Sequence, residues 1–215
     1  MGEKFKEIIQ ILYNSILEVV YPYEYKCIIC EAEEFIGICP CCKNKIAVVE
    51  KQEEILSYGY YGGNLKELIF KFKYKSNFTA GKVLSDLLVS VIEKQHIEMD
   101  LICYIPMSKK SIKKRGYNQC EIMAKNLSRK FKVPVCDCIR KIRETEEQKK
   151  LCKSERITNI SGAFKIENTE KIKGRNVLLI DDVVTTGATL NECIKLFKKS
   201  DINRITVLTI AKTNI

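Results

Sequence analysis

One stretch of this 215-residue chain narrows the possible folds more than any other: Val177-Leu178-Leu179-Ile180-Asp181-Asp182-Val183-Val184-Thr185-Thr186-Gly187-Ala188-Thr189. Four consecutive apolar residues without polar alternation read as a strand buried on both faces, and such strands belong to parallel sheets covered by helices. A helical pattern from about 189 to 199 follows, and then the strand RITVLTIA. Strand, helix, strand of this kind is the unit of an α/β fold. At the carboxyl edge of the first strand two adjacent acids meet a turn of small residues that opens a helix. Thr185, Thr186 and Thr189 bring hydroxyl donors, Gly187, followed by Ala188, lets the backbone approach a ligand, and the unpaired N–H groups of the helix start favour an anion. Carboxylates beside a phosphate would repel it, so Asp181 and Asp182 are expected to accept hydrogen bonds from vicinal sugar hydroxyls or to hold a hydrated magnesium ion. A phosphate at one end and a diol at the other describe a ribose 5-phosphate.

The rest of the chain fits around this unit. Residues 3–20 have apolar Ile8, Ile9, Leu12, Ile16, Val19 and Val20 at helical spacing, interrupted by Gln10, Asn14 and Glu18. That is an amphipathic helix rather than a secretory leader. The run ILSYGYY reads as an edge strand, and Asn64 is placed to cap a helix whose inner face is Leu65, Leu68, Ile69 and Phe72. A second helix is expected over 79–95, a buried strand at LICYIP, a third helix over 116–130 and a short strand within 133–138. From Arg140 to Ser161 the chain is polar and too long for an ordinary connection; such loops are usually functional or disordered.

Eleven cysteines and a single histidine, His96, limit the chemistry. No metal site with two histidines is possible, and a Ser-His-Asp triad would have to recruit His96. Cys27-x2-Cys30 and Cys39-x2-Cys42 are two paired knuckles suited to a tetrahedral, all-sulfur zinc site that stabilises structure or binds a partner. Cys41 offers a competing register, and a reactive dithiol or plain reduced thiols are the other readings of the pairs. The expected division is a small zinc-ribbon-like module over 1–50 and one larger domain over 51–215. An odd cysteine count, the absence of a leader and the lack of a long apolar stretch point to a cytoplasmic protein with no transmembrane segment.

The charge is +10, from 37 Lys+Arg against 27 Asp+Glu. Residues 109–156 hold 16 of the basic and 6 of the acidic residues, so the whole excess lies in that segment. Such a balance suits a polyanion. Tyr58, Tyr60, Tyr61, Phe72 and Tyr74 lie among Lys66, Lys71, Lys73 and Lys75, and interleaved aromatic and cationic residues can stack bases and neutralise phosphates of single-stranded DNA. Packing against a hood or a helix face is the alternative for the same residues.

Residues 177–189 resemble, position for position, the phosphoribosyl pyrophosphate (PRPP) signature of type I phosphoribosyltransferases. The order of IPMSKKSIKKRGYNQ, IRKIRETEEQKKLCKSERITNISGAF and VLLIDDVVTTGATL is similar to that of the competence protein F (ComF/ComFC) family of bacterial DNA uptake. The resemblance implies a type I phosphoribosyltransferase fold, a parallel sheet flanked by helices, with PRPP bound through magnesium at Asp181, Asp182 and residues 185–189. It implies that Met107-Ser108-Lys109-Lys110 receives the pyrophosphate, with Ser108 and Lys109 as its binding residues. Arg140, Arg143 and Arg156 would then stand in a mobile catalytic loop; a basic surface loop or a nucleic-acid contact is the alternative. The family pattern also reaches Arg115, Gly116, Asn118 and Gln119. Ser108 replaces a frequent histidine, and Glu146-Glu147 replace a frequent Pro-Pro. The implied roles are handling of internalised single-stranded DNA, with other DNA-uptake proteins as partners, or transfer of ribose 5-phosphate to a nitrogen nucleophile. In the second case the acceptor pocket must come from the N-terminal module and residues 55–75.

Overall fold

The computed structural model describes residues 25–51, 53–143 and 160–213. The expected helix over 3–20, and Arg156 with most of the polar segment, lie outside the described residues.

Four parallel strands, β1 (Ile55–Tyr60), β2 (Leu101–Tyr104), β5 (Asn176–Val184) and β6 (Arg204–Lys212), form the main sheet in the order β1-β6-β5-β2. Beyond β2, Val135 makes a single parallel bridge to Ile102, which is what remains of the strand expected within 133–138. The strand in this region is instead β3 (Ile139–Lys141), paired antiparallel with β4 (Phe164–Ile166). Arg140 therefore begins the polar segment from inside a hairpin rather than from a loop.

Alternation along the strands sends residues to two cores. Leu178 and Ile180 of β5 join Ile102, Tyr104, Leu208 and Ile210 on one face. That face is covered by α2 (Gly63–Lys75), α3 (Phe78–Lys94) and α5 (Gln119–Phe131). Val177 and Leu179 turn the other way, toward α6 (Ala188–Lys198) and the β3–β4 hairpin. Both faces being buried explains the unbroken apolar run Val177-Leu178-Leu179-Ile180 of β5.

The N-terminal module packs on the first face. Ile28, Ile29 and Ile38 rest against that core, and Ile46 belongs to it. Gly37 approaches α3 so closely that a Cβ would lie 2.6 Å from a methyl group of Val83. Lys71 donates to the Ile28 carbonyl at 2.8 Å, and Asn64 donates to the Cys42 carbonyl at 2.8 Å. Asn64 thus ties α2 to the module instead of capping it; the N-cap is Gly62, with no side-chain bond. Among the described residues, no helix is long and apolar enough to cross a membrane.

Candidate functional site

The cysteine module is built around a short helix, α1 (Pro40–Asn44), with Cys39 as its N-cap. The sulfurs of Cys27, Cys30, Cys39 and Cys42 all lie within 4.8 Å of one another. Cys30 and Cys39 are 3.7 Å apart, close to the edge of about 3.8 Å that four Zn–S bonds of ~2.3 Å would give a tetrahedron. Backbone N–H groups of Cys39 and Cys42 point at the sulfurs of Cys27 and Cys39, each at 3.4 Å. Burial raises the Cys27 thiol, but N–H donors from Cys30, Cys39 and Ile29 outweigh it and bring the pKa down to about 6. Burial and the neighbouring thiols push Cys42 up to about 12. Four sulfurs this close cannot ionise together without a cation, and this cluster can hold zinc. Cys41 is exposed and stands outside it, which selects Cys42 as the fourth sulfur.

The second site forms at the carboxyl end of β5. The strand does not stop at the acids: it runs through Asp181 and Asp182 to Val184, in register with Thr209 to Lys212 of β6. Gly187 then takes a left-handed conformation, φ +72°, and caps α6 with no side-chain bond. A non-glycine residue would be strained there. Thr185, Thr186, Gly187, Ala188 and Thr189 are all half-buried, and Thr186 Oγ1 accepts from the Ala188 N–H at 3.4 Å. The sequence expectation that these residues form one turn at a helix start agrees with their placement, although the helix begins one residue earlier.

The two acids differ in their surroundings. Asp182 is 9% exposed; its Oδ2 accepts from the Gln119 amide and lies 2.7 Å from the Lys73 ammonium. Burial lowers the Lys73 pKa, but the Asp182 charge outweighs it and the net shift is upward. Asp181 accepts from the Asp182 N–H at 2.8 Å and from the Cys120 thiol at 3.5 Å. Burial and the adjacent Asp182 charge push its pKa up to about 7, against the pull of the Asp182 N–H and Lys73. Among the described residues one ammonium faces two carboxylates, so a cation or sugar hydroxyls at Asp181 would complete the site. Magnesium fits this all-oxygen pair, held by Asp181 and Asp182, and would supply charge neutralisation for a phosphorylated ligand.

A raised carboxyl pKa has a stability consequence. The unfolded carboxyl titrates near ~4, so between about pH 4 and 7 the folded state holds a proton that the unfolded state has lost. Stability therefore falls as pH rises through this window. Asp181→Asn should raise the unfolding free energy of the ligand-free protein at pH 8 by roughly 1–2 kcal/mol and leave it unchanged near pH 4. Urea unfolding at the two pH values checks this; equal effects at both would contradict it.

The segment Arg115-Gly116-Tyr117-Asn118-Gln119 explains how Asp182 is held. α4 (Lys109–Arg115) ends on Gly116 at φ +87°. Tyr117 bonds the Phe72 carbonyl and stacks on its ring at 5.6 Å. Asn118, buried, caps α5 by accepting from the Cys120 N–H at 2.9 Å and donates to the Ile105 carbonyl at 3.0 Å. Gln119 is thereby aimed at Asp182, and Arg115 donates to its amide oxygen. Arg115 also lies over the Tyr74 ring, 5.3 Å from its centre. Lys73 and Cys120 were not anticipated as neighbours of the acids. A lysine in a basic helix carries no sequence mark of its partner.

The remaining predicted residues are placed as follows. Met107 to Lys110 is not a free loop: Ser108 is the N-cap of α4, accepting from the Ser111 N–H at 3.1 Å, and Lys109 is already helical. Arg140 pairs with Asp137 at 2.5 Å and Glu167 at 3.2 Å. Arg143 donates to the Ser161 carbonyl at 2.8 Å, across the root of the hairpin. Of the aromatic residues expected to stack bases, Tyr58 and Phe72 are core. Tyr74 and Tyr61 are exposed, and Phe70 and Phe78 join them. Phe70 and Tyr74 contact each other at 5.3 Å, giving an aromatic ridge along α2 beside the cations Lys75 and Arg115.

Residues 117–215 match the family model of the phosphoribosyl transferase domain. The parallel sheet flanked by helices is that of a phosphoribosyltransferase fold. Across 178 residues the chain is 29% identical to competence protein F of Haemophilus influenzae, covering 80% of this chain and 78% of that one. It is 26% identical over 169 residues to the DNA utilization protein YhgH of Escherichia coli K12, covering 75% and 73% of the two chains. With competence protein ComFC of Bacillus subtilis it shares 30% identity over 132 residues, 61% of this chain and 52% of the relative. Over three quarters of its length or more the chain is thus similar to competence protein F and to the DNA utilization protein YhgH.

Proposed function

We propose that this protein binds PRPP with magnesium at Asp181, Asp182 and residues 185–189, and works in the cytoplasm in DNA uptake, handling internalised single-stranded DNA. The observation that carries the reading is the adjacency, at one strand end, of two carboxylates, served among the described residues by one lysine, and a glycine-led helix start. Acids suit ribose hydroxyls and magnesium; N–H groups at the helix start suit the 5-phosphate. The relatives named for competence and DNA utilization supply the context. The ridge of Phe70 and Tyr74 beside Lys75 and Arg115 offers stacking faces and cations for a single strand. Lys109, Lys110, Lys113 and Lys114 of α4 are exposed, and among the described residues no carboxylate lies within ion-pair distance of them. In this reading residues 1–50 carry a structural zinc and residues 51–215 the ligand site, and other DNA-uptake proteins are partners.

Calorimetric titration of the intact protein with PRPP tests the reading: saturable binding with magnesium and none with chelator is expected, and no saturable heat in either condition would end it. Turnover is the second reading, favoured by Arg140 and Arg143 standing at the root of a hairpin that leads into the polar segment. There Arg140, Arg143 and Arg156 would meet the pyrophosphate received at Ser108 and Lys109, and Arg140 would first have to leave Asp137 and Glu167. Release of pyrophosphate on adding a nitrogen nucleophile would establish it.

A further inference from the structure

Lys73 stands between two surfaces. Its side chain is 17% exposed and its ammonium holds Asp182 at 2.7 Å, while Phe70, Tyr74 and Lys75 of the same helix face solvent along the ridge. The other donor to Asp182 Oδ2, Gln119, is held by Arg115, and Arg115 lies over Tyr74. Both groups clamping this carboxylate are thus tied to the ridge. Lysine is a compact charge on a flexible four-carbon stem, free to re-aim when its partner is neutralised. A divalent cation at the acidic pair removes the attraction that keeps this ammonium in a partly buried position and replaces it with repulsion. A phosphate chain along α2 offers the ammonium another partner, and its departure leaves two carboxylates without their lysine, which strengthens cation binding.

We propose that Lys73 is a shared cation, exchanged between Asp182 and the phosphates of a single strand on the α2 ridge, so that ligand in the pocket and strand on the ridge strengthen each other's binding. This rests on both ligands binding as proposed above. Coupling of this kind is reciprocal: magnesium–PRPP must tighten the strand by the factor with which the strand tightens magnesium–PRPP.

The test is fluorescence anisotropy of a labelled oligothymidylate over a series of salt concentrations, with and without saturating magnesium–PRPP. Wild-type protein should bind the strand about fivefold or more tightly when PRPP and magnesium are present. The slope of log affinity against log salt should also steepen by ~0.7, one added phosphate contact. Lys73→Met keeps the aliphatic stem and Lys73→Gln keeps a donor for Asp182; both should lose the gain in affinity and in slope, and bind magnesium–PRPP more tightly than wild type when no strand is present. Thermal melts confirm that at least one of the two is folded. Two ligands that bind wild type with unchanged affinity and slope, or a variant that keeps the full gain, would overturn the exchange while leaving the two binding sites standing. Absence of PRPP binding altogether would overturn both.

Discussion

Cys39→Ser should abolish zinc binding at the four-cysteine cluster and lower the melting temperature of the whole protein, not only of residues 25–50. Cys39 is one of the four clustered cysteines, its sulfur receiving the Cys42 N–H and lying 3.7 Å from that of Cys30. Without a fourth thiolate the remaining three cannot close a structural tetrahedron, and for small zinc modules the metal-binding free energy, on the order of 10 kcal/mol, is folding free energy. The damage spreads because Ile28, Ile29, Ile38 and Ile46 complete the core over α2 and α3, and Lys71 and Asn64 are bonded to module carbonyls. A loss of about 3 kcal/mol or more is expected, a fall in melting temperature of roughly 6–12 °C for a chain of this size. Zinc content by elemental analysis and a thermal scan read both quantities. Cys41→Ser is the control: Cys41 is exposed and outside the cluster, so zinc content and melting temperature should not move. Zinc lost from Cys41→Ser but kept in Cys42→Ser would reverse the choice of ligand.

Asp181→Ala combined with Asp182→Ala should weaken magnesium-dependent PRPP binding at least 100-fold. Each carboxylate contributes charge-assisted hydrogen bonds worth about 1.5–3 kcal/mol, and the pair provides the negative charge that a divalent cation requires. The single variants should separate stability from binding. Asp181→Ala removes a carboxylate whose ionisation burial opposes, so folding is not weakened at pH 8. Asp182→Ala strands the Lys73 ammonium and the Gln119 amide, both partly or fully buried, and should cost roughly 1–3 kcal/mol. Calorimetry with PRPP and chemical unfolding of the same preparations check both halves; PRPP affinity unchanged in the double variant would remove the ligand from this site.

What the sequence made readable is what local periodicity and spacing encode. The runs at 177–180 and 204–211 are strands because they are buried on both faces, and the turn at 185–189 is where its glycine and threonines put it. The paired cysteines found their cluster because two CxxC knuckles already bring each pair of sulfurs together. Long-range choices were not readable. Lys73 and Gln119 meet Asp182 only because α2 and α5 pack on the same sheet face, and nothing in a basic helix announces which lysine turns inward. Tyr58 and Phe72 looked available for stacking by residue type, yet the same apolar surface that stacks on a base also fills a core, and here it fills the core. Ser108 reads as loop or cap with equal ease, and Gly116 ends α4, so the helix expected over 116–130 starts only at Gln119. The strand at 139–141 escaped notice because it pairs with residues 164–166 in a hairpin closed across the polar segment.

The most direct test of the account is a crystal structure of the intact protein grown with PRPP and magnesium. The account predicts the 5-phosphate on the backbone N–H groups of Thr186 to Thr189, the ribose hydroxyls or their magnesium on Asp181 and Asp182, and the Lys73 ammonium displaced from Asp182. Ligand density anywhere else, with the Lys73–Asp182 pair intact and the turn at Gly187 empty, would contradict it.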